Sequence, residues 1–157
     1  MKKLLNYIAL TSILAVSLSF LQSCQNIRNK KEISELLQTD QAFSMMTSDK
    51  GVKRALVNYV DTNELSLKKD MTPIDGKDAA IKYFNNSNDS GIVFTWKPLG
   101  AKIVNAGNIG YTYGIYKIES IGSVSKGTYV TLWKKTTDGK WKFALNTGKE
   151  GFGEKKL

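Results

Sequence analysis

From Gly91 onward the chain changes period. The segments IVFTWKP, GAKIVNA, IGYTYGIYKIES, KGTYVTLWKKT and KWKFALN alternate apolar and polar residues in twos. Between the last two, TTDGK carries an Asp-Gly pair, which favours a hairpin turn. A chain that spends its second half this way must bury one face of an antiparallel sheet, and the cover has to come from its first half. The cover is there. Over residues 31–47, Ile33, Leu36, Leu37, Phe43 and Met46 recur at helical spacing; Gly51 breaks the pattern, VKRALVNYV resumes it as a second helix, and KDAAIKYFNN makes a third. ELSLKKD is expected as a short strand before that third helix, with TPIDG, NNSNDSG and NAGN as turns or loops. Gly110 and Gly114 inside a strand pattern predict a bulge or bend, and so a curled sheet.

The first residues do not belong to this plan. MKK precedes the apolar run LLNYIALTSILAVSLSFL, and Leu21-Gln22-Ser23-Cys24 closes it. This is the make-up of a secretory signal, and its last four residues resemble the lipobox of bacterial lipoproteins, whose cysteine is acylated and becomes the new first residue. Residues 1–23 are therefore expected as the signal peptide, 24–31 as a polar tether, 32–150 as the domain and 151–157 as a tail. Lipidated Cys24 then anchors the chain to a membrane, and several acyl chains make such an anchor durable. No acidic run follows Cys24, which points to a cell-envelope protein facing the periplasm.

Composition removes several chemistries. There is no histidine and one cysteine, so no Ser-His or Cys-His nucleophile, no internal disulfide and no multi-cysteine zinc site exist within the chain. The net charge is +9, carried mostly by scattered lysines, with Arg28 and Arg54 the two arginines. Base reading favours the bidentate arginine fork, so nucleic acid is not an expected partner. GNIGYTYG is a glycine-containing strand rather than a phosphate-cradling turn. No cofactor and no metal are expected.

The order of elements, together with LLQTDQAFSMMTSDKGVKRAL, PIDGKDAAIKYF, Trp96-x-Pro98, Gly110-Tyr-x-x-Gly114 and Gly127-x-Tyr-x-x-x-Trp133 followed by Asp-Gly-x-Trp, resembles the SnoaL-like group (DUF4440) of the NTF2-like superfamily. The likeness runs from about Ile33 to Gly148. It implies an α+β, cystatin-like cone, with three N-terminal helices packed on a curved antiparallel sheet. It also implies a homodimer, since relatives pair through the open sheet face. It does not imply one activity, because such folds host isomerases, dehydratases and binding modules alike.

The candidate site follows from the residues. Asp40 lies on the apolar face of the first helix, where burial would raise its pKa and suit it to act as a general base. In ketosteroid isomerases of this superfamily an Asp base works beside a Tyr and a second acid. A carboxylate in such a place can equally serve as acceptor for a buried Tyr, Trp or backbone group. Trp96, Tyr111, Tyr113, Tyr129, Trp133 and Asn146 are, with Asp40, candidate pocket-lining residues; Tyr111, Tyr113 and Ile115 lie on one face of their strand. Tyr129, Thr131 and Trp133 share a face in the next, and Trp141, Phe143 and Leu145 in the last. Asn146 ends the hairpin where relatives often carry Asp, and an amide is no base at neutral pH. Asp61, Glu64, Asp70, Asp75 and Asp78 sit at expected turns or strand ends, where capping is their ordinary use. Two functions remain open: a lipid-anchored, non-catalytic module binding a small apolar or amphipathic ligand or a protein partner, or an isomerase or hydro-lyase with Asp40 as base.

The anchor has a direct test. Cells fed a labelled fatty-acid analogue should incorporate it into this chain, and Cys24→Ala should abolish the label; label retained by the variant would contradict the lipobox reading.

Overall fold

A computed structural model of the chain describes residues 27–66, 73–86, 91–104 and 107–151. The signal peptide, Cys24, Asp70, most of NNSNDSG, part of NAGN and the tail from residue 152 lie outside the described residues. Residues 27–50 are helical (α1), so the expected tether is already helix from residue 27. The chain divides into units Met1–Glu32 and Ile33–Leu157; the second holds the sheet and its helical cover, to which α1 contributes from Ile33 on.

α1 stops where the sequence loses its pattern. Gly51 takes φ 83°, a value open to glycine, and its carbonyl accepts from the Ala55 amide as α2 (Val52–Tyr59) begins. Val60 is already extended, so β1 (Val60–Ser66) starts four residues before the expected ELSLKKD strand. β2 (Ile74–Asp75), α3 (Lys77–Asn86), β3 (Val93–Val104), β4 (Ile109–Ser120), β5 (Ser123–Lys135) and β6 (Trp141–Glu150) come next. Two of the three helices thus precede the sheet, and α3 comes after two of its strands.

The sheet has six strands in the order β2-β1-β6-β5-β4-β3. β3 to β6 form an antiparallel meander of four strands where the alternation predicts five segments: IVFTWKP and GAKIVNA run together as β3, interrupted only by a register shift at Leu99, and β5 and β6 are joined at Asp138-Gly139. β1, however, lies parallel to β6, pairing Val60 with Phe143 and Ser66 with Asn146. The expected antiparallel sheet is therefore mixed. That contact joins residues some eighty positions apart, which local pattern does not encode.

Two bulges set which side chains face the helices. Between β3 and β4 the register shifts at Leu99, opposite Gly114 and Tyr113. Between β5 and β6 it shifts at Ala144: Trp133 pairs with Phe143, but Leu132 pairs with Leu145 and Thr131 with Asn146. Beyond the bulge the parity reverses. Leu145 consequently shares the outer face with Leu132, correcting its expected place beside Trp141 and Phe143, and Asn146 turns to the inner face.

The inner face is covered by α1. Phe43 is its central contact: its ring stacks on Phe143 at 5.3 Å and meets Trp96 at 4.8 Å and Trp133 at 6.2 Å edge-on. Leu36, Ala55, Val60, Tyr129 and Trp141 complete a buried cluster around it. Such aromatic pairs each add about 0.5–1.5 kcal/mol beyond the area they bury. Glycines make the close approach possible. A Cβ at Gly110 would lie 2.6 Å from a Leu36 methyl on α1, and one at Gly114 would lie 2.1 Å from the Lys97 carbonyl oxygen.

Backbone at Lys97 cannot step aside as a side-chain tip can. Gly114→Ala should therefore lower stability by about 1–3 kcal/mol or more in urea unfolding, whereas Val124→Ala, at an exposed position, should stay within about 0.5 kcal/mol. Equal, small effects for both would contradict the close packing at the bulge.

Candidate functional site

α1 carries a polar stripe inside its apolar face. Asp40, Ser44 and Thr47 fall at i, i+4 and i+7, on one side of the helix, and are 0%, 3% and 4% exposed. Their partners explain the arrangement. β3 is an edge strand of the sheet, so its outward backbone groups need partners that no further strand supplies. Ser44 Oγ accepts from the Trp96 amide at 2.8 Å and donates to the Trp96 carbonyl at 2.8 Å, while Thr47 Oγ1 donates to the Phe94 carbonyl at 2.7 Å. The helix closes the sheet edge by hydroxyl groups.

One turn earlier, Asp40 closes the same joint by its carboxylate. Trp96 Nε1–H donates to Oδ1 at 2.8 Å, and the Tyr129 hydroxyl donates to Oδ2 at 2.6 Å. Burial raises the Asp40 pKa above its ordinary 3.8, and the hydrogen bonds from Tyr129, Trp96 and Thr112 act against that rise. Burial, and then the nearby Asp40 carboxylate, push the Tyr129 phenol far upward, so it stays protonated and remains a donor. Both carboxylate oxygens are thus engaged, and the group is out of contact with solvent.

The remaining candidates sort by face. Trp133 is wholly buried and donates its indole N–H to Thr112 Oγ1 at 2.8 Å; Asn146 Nδ2 donates to Thr131 Oγ1 at 2.8 Å. Asp40, Trp96, Thr112, Tyr129, Thr131, Trp133 and Asn146 therefore meet in one interior of aromatic rings and paired polar groups. Tyr111 and Tyr113 do not join them. They pair with Leu132 and Val130 on the opposite face, and Tyr113 is 42% exposed. In β4 the inward positions are Gly110, Thr112 and Gly114, so the two tyrosines are corrected from candidate pocket wall to outer surface. Asp61, expected near a turn or strand end, lies at the start of β1 and is buried there.

Open space lies elsewhere. A groove of about 680 Å³ runs between α1, the end of α2 and the β5–β6 turn, with Thr39, Ala42, Met46, Tyr59, Trp141 and Lys142 among its walls. A second, of about 790 Å³, lies along α2 and α3 beside Lys50, Lys53 and Arg54. Asp40 lines neither. In the first groove Trp141 is 5% exposed, yet its indole nitrogen, shielded from solvent, has no acceptor among the described residues. A buried donor left without an acceptor costs about 1–3 kcal/mol. The sequence shows Trp141 only as one more inward aromatic, so neither the groove nor this orphaned N–H was legible there; Ser44 and Thr47 were missed because hydroxyls on a helix read as surface. Among the described residues, no group of three or more His, Cys, Asp or Glu is placed to hold a metal ion, and no helix is long and apolar enough to cross a membrane.

No protein-family model matches this sequence, and no curated protein does. Solved structures do. A ketosteroid isomerase-like protein from Erwinia carotovora superposes with a TM-score of 0.62 at 8% identity, over 76% of this chain and 95% of its own. An NTF2-like protein with a cystatin-like fold from Novosphingobium aromaticivorans gives 0.62 at 10% identity, over 87% and 90%. An epoxide hydrolase of M. tuberculosis, described as LEH-like, gives 0.56 at 12% identity, over 76% and 81%. At such identities the likeness speaks for architecture alone. The chain has the NTF2-like, cystatin-like fold: α+β, with helices packed against a curved mixed sheet.

Proposed function

We infer that this chain is a non-catalytic, small-ligand-binding module of the cell envelope, anchored through lipidated Cys24 and facing the periplasm. Within its fold its likeness to the SnoaL-like group rests on the Trp96-x-Pro98, Gly110-to-Gly114 and Gly127-to-Trp133 motifs. The observation that carries the reading is the state of Asp40. A general base must reach the proton it removes, within hydrogen-bond distance or through one water. Asp40 is fully covered, and each oxygen already accepts from a protein donor. Its geometry suits a structural acceptor, and removes the main support for an isomerase or hydro-lyase built on this residue. Binding then falls to the open groove beside Trp141 rather than to the interior. The outer sheet face, with Tyr113, Val130 and Leu132 exposed, is the surface on which a second copy would pair.

Native mass spectrometry of the protein isolated from its envelope tests these points together. The expected spectrum shows a dimer with a small-molecule adduct that keeps its mass on incubation and persists in Asp40→Asn. An adduct converted by the wild type but left intact by Asp40→Asn would establish catalysis instead, and a monomer throughout would remove the pairing surface.

The structural role also has a pH signature. Because burial raises the folded-state pKa of Asp40 above 3.8, the folded chain holds this proton more tightly than the unfolded one. The contribution is full below pH 3.8 and is lost as pH rises through the folded-state value. The stability of the wild type minus that of Asp40→Asn should accordingly fall as pH rises from 3.8, in parallel urea titrations; a flat or rising difference would contradict it. Asp40→Leu, which strands two buried donors, should cost about 2–5 kcal/mol at neutral pH.

A further inference from the structure

The three tryptophans differ in what their indole N–H groups meet. Trp96 donates to Asp40 and Trp133 to Thr112, whereas Trp141 donates to nothing among the described residues. Native proteins leave few buried polar groups unmatched, and an exception calls for an explanation. The surroundings of Trp141 supply one. It forms part of the wall of the groove of about 680 Å³, flanked in sequence by Lys140 and Lys142, which line the same groove. Lys135 Nζ stands 5.1 Å from the Trp141 ring centroid.

The charges there are unevenly matched. Glu35 is engaged with Lys135 at 3.1 Å, and Asp138 with Lys140 at 2.8 Å. The Lys142 ammonium reaches the Asn58 carbonyl. Its pKa is lowered by burial and then by the positive charges of Lys77 and Lys140, with Asp138 and Asp61 opposing more weakly. An anion beside Lys142 would relieve that crowding. Other lining residues are of another kind: Ala42, Met46 and Tyr59 present apolar surface, and burial raises the Tyr59 phenol pKa, which keeps it a neutral donor.

We propose that this groove binds a small amphipathic carboxylate. Its acid group lies between Lys140 and Lys142 and gives the Trp141 N–H the acceptor the fold does not supply; its apolar part lies on Ala42, Met46 and Tyr59. Lys140, which lines the same groove as Trp141, has a side chain 71% exposed, and exposed side chains change rotamer fast. The proposal deepens the reading of the chain as a binding module and rests on it.

The test uses the full-length protein in nanodiscs with ¹⁵N-labelled tryptophan indoles, titrated with 4-phenylbutyrate and, as the uncharged counterpart, 4-phenyl-1-butanol. The carboxylate should move the Trp141 indole cross-peak saturably while Trp96 and Trp133 stay in place, and the alcohol should bind about tenfold more weakly or less. Lys142→Met, which keeps the apolar stem, should weaken the carboxylate about tenfold with the Trp96 and Trp133 peaks unmoved, showing that the fold persists. Equal binding of acid and alcohol, or an unchanged affinity in Lys142→Met, would overturn the anion preference while leaving a binding module intact. A Trp141 peak unmoved by either compound would overturn the groove as the site, and movement of Trp96 in its place would put the ligand in the interior. The mass-spectrometric test for an adduct reports on the underlying reading separately.

Discussion

A carboxylate sealed between a helix and a sheet governs this structure. Asp40 leaves water at a cost that burial alone would make prohibitive. The donors that meet it come from two strands that are not neighbours, Trp96 on β3 and Tyr129 on β5. The bond pair fixes α1 across the sheet rather than along one strand. Ser44 and Thr47 then fall onto the free edge of β3 and satisfy its backbone at Phe94 and Trp96. The same helix places Phe43 against Trp96, Trp133 and Phe143. Polar fixing and apolar packing thus specify one seating of α1, and agreement between them is what gives a sequence a single native arrangement.

That seating has a functional consequence. A curved sheet under helices can enclose a ligand when its interior positions are small or unpaired. Here they hold Trp133 and Phe143 at 0–1% exposure, under a fully buried Leu36 of α1, and the Trp133 indole N–H is matched to Thr112 Oγ1. The orphaned donor is at the rim, on Trp141, beside open space and lysines. In the proposed account the interior serves stability and recognition belongs to the rim.

Much of the architecture was legible because it is local. Alternation of period two marked β4 to β6 and, as two separate segments, the single strand β3; Asp138-Gly139 marked the last turn, and Gly51 marked the break between the first two helices. The spacing of Asp40 from Leu36, Leu37 and Phe43 placed it on the buried side of α1, and Tyr or Trp could be named as partners of a buried acid. What escaped depends on contacts between distant segments. The parallel pairing of β1 with β6 has no local signature. A single extra residue at Ala144 reverses the faces of Leu145 and Asn146, since strand parity carries no mark of a bulge. Tyr111 and Tyr113 alternate as expected, but which parity faces inward is decided by Gly110 and Gly114, whose missing side chains admit Leu36 and the Lys97 carbonyl.

The central claim, that Asp40 is a covered acceptor joining α1 to the sheet, meets its most direct test in hydrogen exchange at the Trp96 indole. If the Trp96 Nε1–H is held by Asp40 inside the core, it exchanges only when the whole domain unfolds, with an opening free energy equal to that from urea denaturation. Exchange well ahead of global unfolding would show that solvent reaches this pair in the folded state, and would return Asp40 to the open site that catalysis requires.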